Sequence, residues 1–259
     1  MKDKWPKIEI ALESEPKFLF ILTPPYSGST ALAKLLNTSR SSMILQERAE
    51  GQWLIPGMCE SDRWDPEKYI DWDSVRSVWL SKFQLINSHV ETISLIIEKS
   101  PPNLVRARQL RNNFPRSIFM AFNRDPYANC SSIFHRNHVQ EGQTREQRTA
   151  ILRLLAEEWI FRSQYVKQSV DDLNTPHFTY EQFCENASSC IMELSVHCPE
   201  IVDADIHAPL KIKEYRIQTL LNHNARQIGL LDSHDLAVIS SVLEQEERLL
   251  EFFGYKLLI

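Results

Sequence analysis

No Cys-x-x-Cys pair occurs in the 259 residues: the five cysteines, Cys59, Cys130, Cys184, Cys190 and Cys198, are odd in number and scattered. Neither a disulfide framework nor a zinc site is indicated, and reduced structural thiols are expected. A run of about 18 apolar residues is also missing, which argues against a membrane-spanning helix. The opening MKDKWPKIEIALESE has acidic residues where a signal peptide carries its apolar core, so a cytoplasmic protein is expected. Positive charge is in deficit, with 29 Lys and Arg against 34 Asp and Glu and a net charge of -5. Such a chain has no general attraction to nucleic acid or to an anionic membrane, and any anion site must be local.

What the chain does contain is an ordinary globular composition, 43% hydrophobic and 24% charged, suited to one packed α/β domain over residues 1–259. Its organising stretch is Lys17 to Leu36, KFLFILTPPYSGSTALAKLL. Phe18 to Leu22 form an apolar run of strand length, followed by a turn rich in Pro, Ser and Gly and then an amphipathic helix. A loop of this kind leaves free N–H groups at a helix N-terminus, where the helix dipole favours an anion. Ser27, Ser29 and Thr30 add hydroxyl donors, and Gly28 allows close backbone approach.

Further strands are expected at 41–46 (SSMILQ), 94–99 (SLIIEK), 117–124 (SIFMAFNR) and 177–180 (HFTY), with IEIAL near the N-terminus as an extra edge. Helices are expected after PPNLV, from Asp125 and Pro126 as N-cap and N1, over 145–173, across EQFCENASSCIMELSV, and from about Ser233 to Phe253. Strands alternating with helices imply a central parallel sheet flanked by helices. Residues 51–84, with four tryptophans (Trp53, Trp64, Trp72, Trp79) and no long period, read as a loop and short-helix insertion or lid. Lys211, Lys213 and Arg216 form a late basic cluster, which is either a closing loop or a solvated face.

A nucleoside triphosphate is the first candidate anion, but the G-x-x-x-x-G-K-[ST] pattern is not met. Thr23 stands where its first glycine belongs and Ser29 where its lysine belongs. A β/γ-phosphate would lose its main point charge, and no strand-ending Asp is placed to help hold Mg²⁺.

Three ordered stretches instead resemble the sulfotransferase family, which uses 3′-phosphoadenosine 5′-phosphosulfate (PAPS). PPYSGSTALAKLL is similar to the family's 5′-phosphosulfate loop, NRDPYANCSSIF to its 3′-phosphate segment, and IIEKSPPN to the E-K-[ST]-P strand end of several branches. FTYEQFCENA resembles a weaker late motif, and EFFGYKLL a family-like ending. The resemblance implies a P-loop-like sulfotransferase architecture, PAPS as sulfuryl donor, no metal, and a small-molecule acceptor.

Carried over residue by residue, it assigns the nucleotide to Tyr26, Ser27, Gly28, Ser29, Thr30, Ala31, Arg124 and Ser132, with Tyr180 near the adenine. Arg124 at a strand end offers a fork of charge-assisted donors and Ser132, two helical turns on, a hydroxyl. Taken alone, Arg124 reads as a strand-end ion pair and Ser132 as a helix-packing residue. Lys99 is assigned the leaving-group cation. The histidine many cytosolic members place two residues after that lysine is here Pro101. Other branches place a glutamate 21 residues beyond the basic residue of the 5′ loop, and 21 from Tyr26 is Glu47. Glu47 is the expected base, with Glu50 and His135 in reserve. Tyr26 departs from the family, which has Arg or Lys there, and Lys99, Lys34 or Arg48 must compensate unless the protein is a non-catalytic binder. The acidic residues Glu50, Glu60, Asp62 and Asp65 suit a cationic acceptor such as an amine-bearing natural product. A P-loop kinase-like enzyme is the remaining alternative.

Overall fold

The computed structural model describes residues 15–88, 92–212, 217 and 219–258. IEIAL, Lys213 and Arg216 lie outside the described residues. Strands β1 (Lys17–Leu22), β2 (Ser42–Ile44), β3 (Leu95–Glu98), β4 (Ser117–Asn123) and β5 (His177–Thr179) form a sheet in the order β2-β3-β1-β4-β5. Pairing is parallel, with Phe18 opposite Ile96, Met43 opposite Ile96, and Phe122 opposite Phe178. Strands of such a sheet are covered on both faces, which is why Phe18 to Leu22 are apolar without alternation and all buried. The helices are α1 (Ser29–Leu36), α2 (Trp72–Asn87), α3 (Ala107–Asn113), α4 (Pro126–Asn137), α5 (Arg145–Leu173), α6 (Tyr180–Glu185), α7 (Ala187–Ser195), α8 (Asn224–Ile228), α9 (Ser233–Leu243) and α10 (Glu247–Phe253). The expected α/β architecture with a central parallel sheet is the one observed.

Contacts between Cα atoms group the chain into two compact units, neither contiguous in sequence. The first comprises Met1–Leu22, Thr30–Met120 and Ala187–Leu220. Its core is aromatic: Phe18 and Phe20, on one side of β1, meet Phe114 with ring centroids 4.8 and 5.2 Å apart, and Trp79 of α2 lies 5.5 Å from Phe114. Here the loop and short-helix reading of residues 51–84 is corrected in its second half. Residues 72–87 form a helix of 16 residues, capped where Asp71 accepts a hydrogen bond from the Ser74 amide at 3.1 Å. Val75, Val78, Trp79 and Phe83 follow helical spacing and are buried. The preceding turns are tied down as well. Arg106 donates to the Asp65 carbonyl at 2.7 Å, and Gln109 to that of Pro66 at 3.0 Å.

The second unit comprises Thr23–Ser29, Ala121–Asn186 and Leu221–Ile259. Its spine is α5, whose boundaries match the expected 145–173 and whose start is a reciprocal Thr144 and Gln147 capping box. Trp159 of α5 packs edge-on against Phe253 and Tyr255. Two helices expected as continuous are broken. EQFCENASSCIMELSV divides at Asn186, and the closing helix passes through a 3₁₀ turn at Glu244–Glu246.

Candidate functional site

The strand order reverses at β1, and in open parallel sheets ligands bind beyond the carboxyl ends of strands at such a point. Within the second unit, the loop 23–29 and the residues following β4 supply two chain ends of that kind. The loop carries two residues in the left-handed region, Tyr26 at φ 62° and Gly28 at φ 82°. A bulky residue is rarely found there, so the surroundings must hold Tyr26 in place. Asn129 of α4 donates to the Pro25 carbonyl at 2.9 Å and lies 3.5 Å from the Ser27 hydroxyl. Asn137, at the far end of α4, exchanges hydrogen bonds with the Tyr26 hydroxyl at 2.9 and 3.1 Å. Neither asparagine was singled out by sequence, although Asn129 lies inside the NRDPYAN stretch.

Gly28 is closely covered. A Cβ placed on it would lie 2.5 Å from the Tyr180 ring. The Tyr180 hydroxyl donates to the Leu221 carbonyl at 2.7 Å and accepts from the His223 amide at 3.1 Å. Burial raises the Tyr180 phenol well above its ordinary range. Arg124 also lies against this ring, its guanidinium carbon 4.6 Å from the ring centre.

Arg124 is 5% exposed. Its Nε donates to Asn224 Oδ1 and its Nη1 to the Tyr26 carbonyl, both at 2.9 Å, while the Trp159 indole donates to its backbone carbonyl at 2.9 Å. Nη2 is buried and has no partner among the described residues. Asp125 caps α4 by accepting from the Ala128 amide at 2.8 Å; burial, and then the Glu181 charge, push its carboxyl up to about 6. Burial followed by the charges of Arg124 and Arg226 holds the His223 imidazole below its ordinary value. Ser132 is half-buried on α4, and no hydrogen bond of its hydroxyl is found among the described residues.

In the first unit a separate polar cluster surrounds the end of β3. Lys99, 3% exposed, pairs with Glu50 at 2.6 Å, and Glu50 also accepts from Gln52 at 3.0 Å and the Trp53 indole at 2.8 Å. Burial alone would raise the Glu50 carboxyl, but Lys99 and these donors together hold it below its ordinary value. Glu98 is fully buried. It accepts from the Gly51 amide at 2.7 Å, the Ser100 amide at 2.9 Å, Asn103 at 2.6 Å and the Ser100 hydroxyl, yet burial still pushes it up to about 7.

Glu47 lies elsewhere in this unit, largely exposed, 3.8 Å from Lys34, whose ammonium donates to the Lys211 carbonyl at 2.6 Å. Thr30 and Ala31 lie in the first turn of α1, where amides lack intrahelical acceptors. The acidic insertion is internally matched: Glu60 and Asp62 pair with Lys68, and the Asp65 carboxylate accepts from the Glu67 amide. Trp79 is core and Trp53 is half-exposed. Among the described residues no group of His, Cys, Asp and Glu could hold a metal ion, and no helix is long and apolar enough to cross a membrane.

No protein-family model and no curated protein matches the sequence. Among solved structures, the chain is similar to the sulfotransferase STF9 from Mycobacterium avium, with a TM-score of 0.57 and 12% identity over 93% of this chain and 78% of that one. It is also similar to a sulfotransferase from Alicyclobacillus acidocaldarius, with a TM-score of 0.53 and 12% identity over 94% of this chain and 98% of that one. The fold is that of the sulfotransferases, as the motif resemblance implied.

Proposed function

We propose that this chain is a PAPS-dependent sulfotransferase that passes a sulfuryl group to a hydroxyl or amine of a small-molecule acceptor and releases adenosine 3′,5′-bisphosphate. The observation that supports it is Arg124. Among the described residues its buried Nη2 has no partner, and its Nη1 donates to the carbonyl of Tyr26 in the anion-type loop. Burying a cationic donor unmet is costly, so the residues present fit a phosphate group.

In this reading Arg124 and Ser132 hold the 3′-phosphate. The hydroxyls of Ser27, Ser29 and Thr30, with the amides from Gly28 to Ala31, hold the 5′ end. Bound PAPS supplies the sulfuryl group. Sulfuryl transfer places charge on the leaving and equatorial oxygens, so positioning and charge stabilisation dominate. Lys99, paired with the Glu50 carboxylate at 2.6 Å, is the cation assigned to that charge. Glu47 is the base assigned to the acceptor's proton, because Glu50, held ionised by Lys99, Gln52 and Trp53, is a weaker proton acceptor.

One observation favours a second reading, a nucleotide binder without catalysis. Tyr26 replaces a charge with a phenol, and that phenol is already engaged with Asn137. Calorimetric titration with adenosine 3′,5′-bisphosphate, against ATP with magnesium, tests the proposal. Binding of the bisphosphate alone is expected, and its absence ends the sulfotransferase reading. Incubation with PAPS and a panel of hydroxyl and amine acceptors then separates enzyme from binder by the sulfate mass increment.

A further inference from the structure

Resting on that reading, we infer that Asn224 is a positioning residue: a neutral amide inserted between Arg124 and the Glu181 carboxylate, it orients the guanidinium for a 3′-phosphate without neutralising it. The geometry lies within the second unit. Glu181 accepts from three donors on separate segments: the Asp125 amide at 3.1 Å, the Tyr255 hydroxyl at 3.0 Å, and Asn224 Nδ2. A carboxylate on one side and a guanidinium on the other allow the Asn224 amide only one orientation, with Nδ2 toward Glu181 and Oδ1 toward Arg124 Nε.

Two further contacts fix the guanidinium plane. The Tyr180 ring lies 4.6 Å from its carbon, and the Tyr26 carbonyl takes Nη1 at 2.9 Å. Among the described residues Nη2 has no partner. Were Arg124 paired directly with Glu181, its charge would be held internally and an incoming phosphate would have to compete with a carboxylate. The interposed amide prevents that pairing while passing on the orientation that Glu181 receives from Asp125 and Tyr255. The groups therefore act as a chain: Tyr255 to Glu181 to Asn224 to Arg124.

The readout is discrimination, the ratio of affinities for adenosine 3′,5′-bisphosphate and adenosine 5′-monophosphate, measured calorimetrically on the full chain. Asn224→Ala is expected to weaken bisphosphate binding by about tenfold or more, the scale of a hydrogen bond to a charged group, with the monophosphate changed by less than about twofold. The double variant Asn224→Ala/Glu181→Gln removes the competing carboxylate and is expected to recover part of the ratio. A role confined to stability would make the double variant worse.

If Asn224→Ala does not fold, Tyr255→Phe serves, since it removes one donor to Glu181 three links from the phosphate site. It is expected to lower the ratio by about threefold. Equal losses for both ligands, no loss for either, or a further fall in the double variant would each overturn the inference while the wild-type protein binds the bisphosphate. A wild-type protein that binds no bisphosphate overturns the parent reading, and this one with it.

Discussion

Gly28 meets two demands that no other residue type satisfies together. Its φ of 82° is strained for any side chain, and a Cβ would stand 2.5 Å from the Tyr180 ring. Gly28→Ala is therefore expected to lower stability by roughly 1–3 kcal/mol, read from thermal melts. It is also expected to weaken adenosine 3′,5′-bisphosphate binding, because Tyr180 must move and Arg124 rests on its ring. An unchanged melt would show that the loop is not held as described. Lys99 makes a different prediction. Lys99→Ala removes the cation assigned to the leaving oxygens, so turnover should fall by at least about a hundredfold. Undiminished turnover would remove Lys99 from the reaction. At this scale the sequence reading named residues inside contiguous motifs, Gly28 and Arg124 among them. It did not reach Asn224, which meets Arg124 across 100 positions of chain. Nor did it reach the pairing of Lys99 with Glu50, 49 positions apart, since both residues are ordinary charges until the fold joins them.

Among elements, the clearest departure from the sequence reading is α2. Its buried positions do keep helical spacing, but exposed Leu85 and part-exposed Trp72 add apolar residues on other faces and blur the period. Trp79 is fully buried against Phe18, Phe20 and Phe114. Trp79→Ala should cost about 3–5 kcal/mol, the usual range for deleting a buried large aromatic. A shift in denaturant midpoint corresponding to less than about 1 kcal/mol would place the indole outside the core. The strands and α5 were legible because each signal is local: continuous apolar runs for a parallel sheet, and a Thr144 cap before a long amphipathic period. The break at Asn186 was not legible. The residue terminates α6 with φ -146° and ψ 65°, a conformation that its sequence neighbourhood does not demand.

For the whole molecule, two raised carboxyls among the described residues, one in each unit, give stability a pH dependence opposite to that of ordinary salt-bridged acids. Glu98 stands at about 7 against an ordinary 4.5, and Asp125 at about 6 against 3.8, both chiefly through burial. Between the ordinary and the folded values the folded chain binds more protons than the unfolded one, so stability falls as pH rises through that window. The contribution is complete below about pH 4 and lost above about pH 7, with Glu98 alone worth on the order of 3 kcal/mol. Acids held low by cations act in the other direction, Glu50 beside Lys99 and Glu200 beside Lys17, but they titrate below that window. The lowered His223 imidazole opposes part of this up to about its ordinary 6.5, and with two raised acids against it the melting temperature should still decline from about pH 5 to pH 8. Glu98→Gln should be destabilised overall, since its amide cannot accept from all four donors, yet its decline should be shallower than the wild type's. Parallel pH profiles for the two proteins would show that Glu98 is ionised throughout, and that its four donors outweigh its burial.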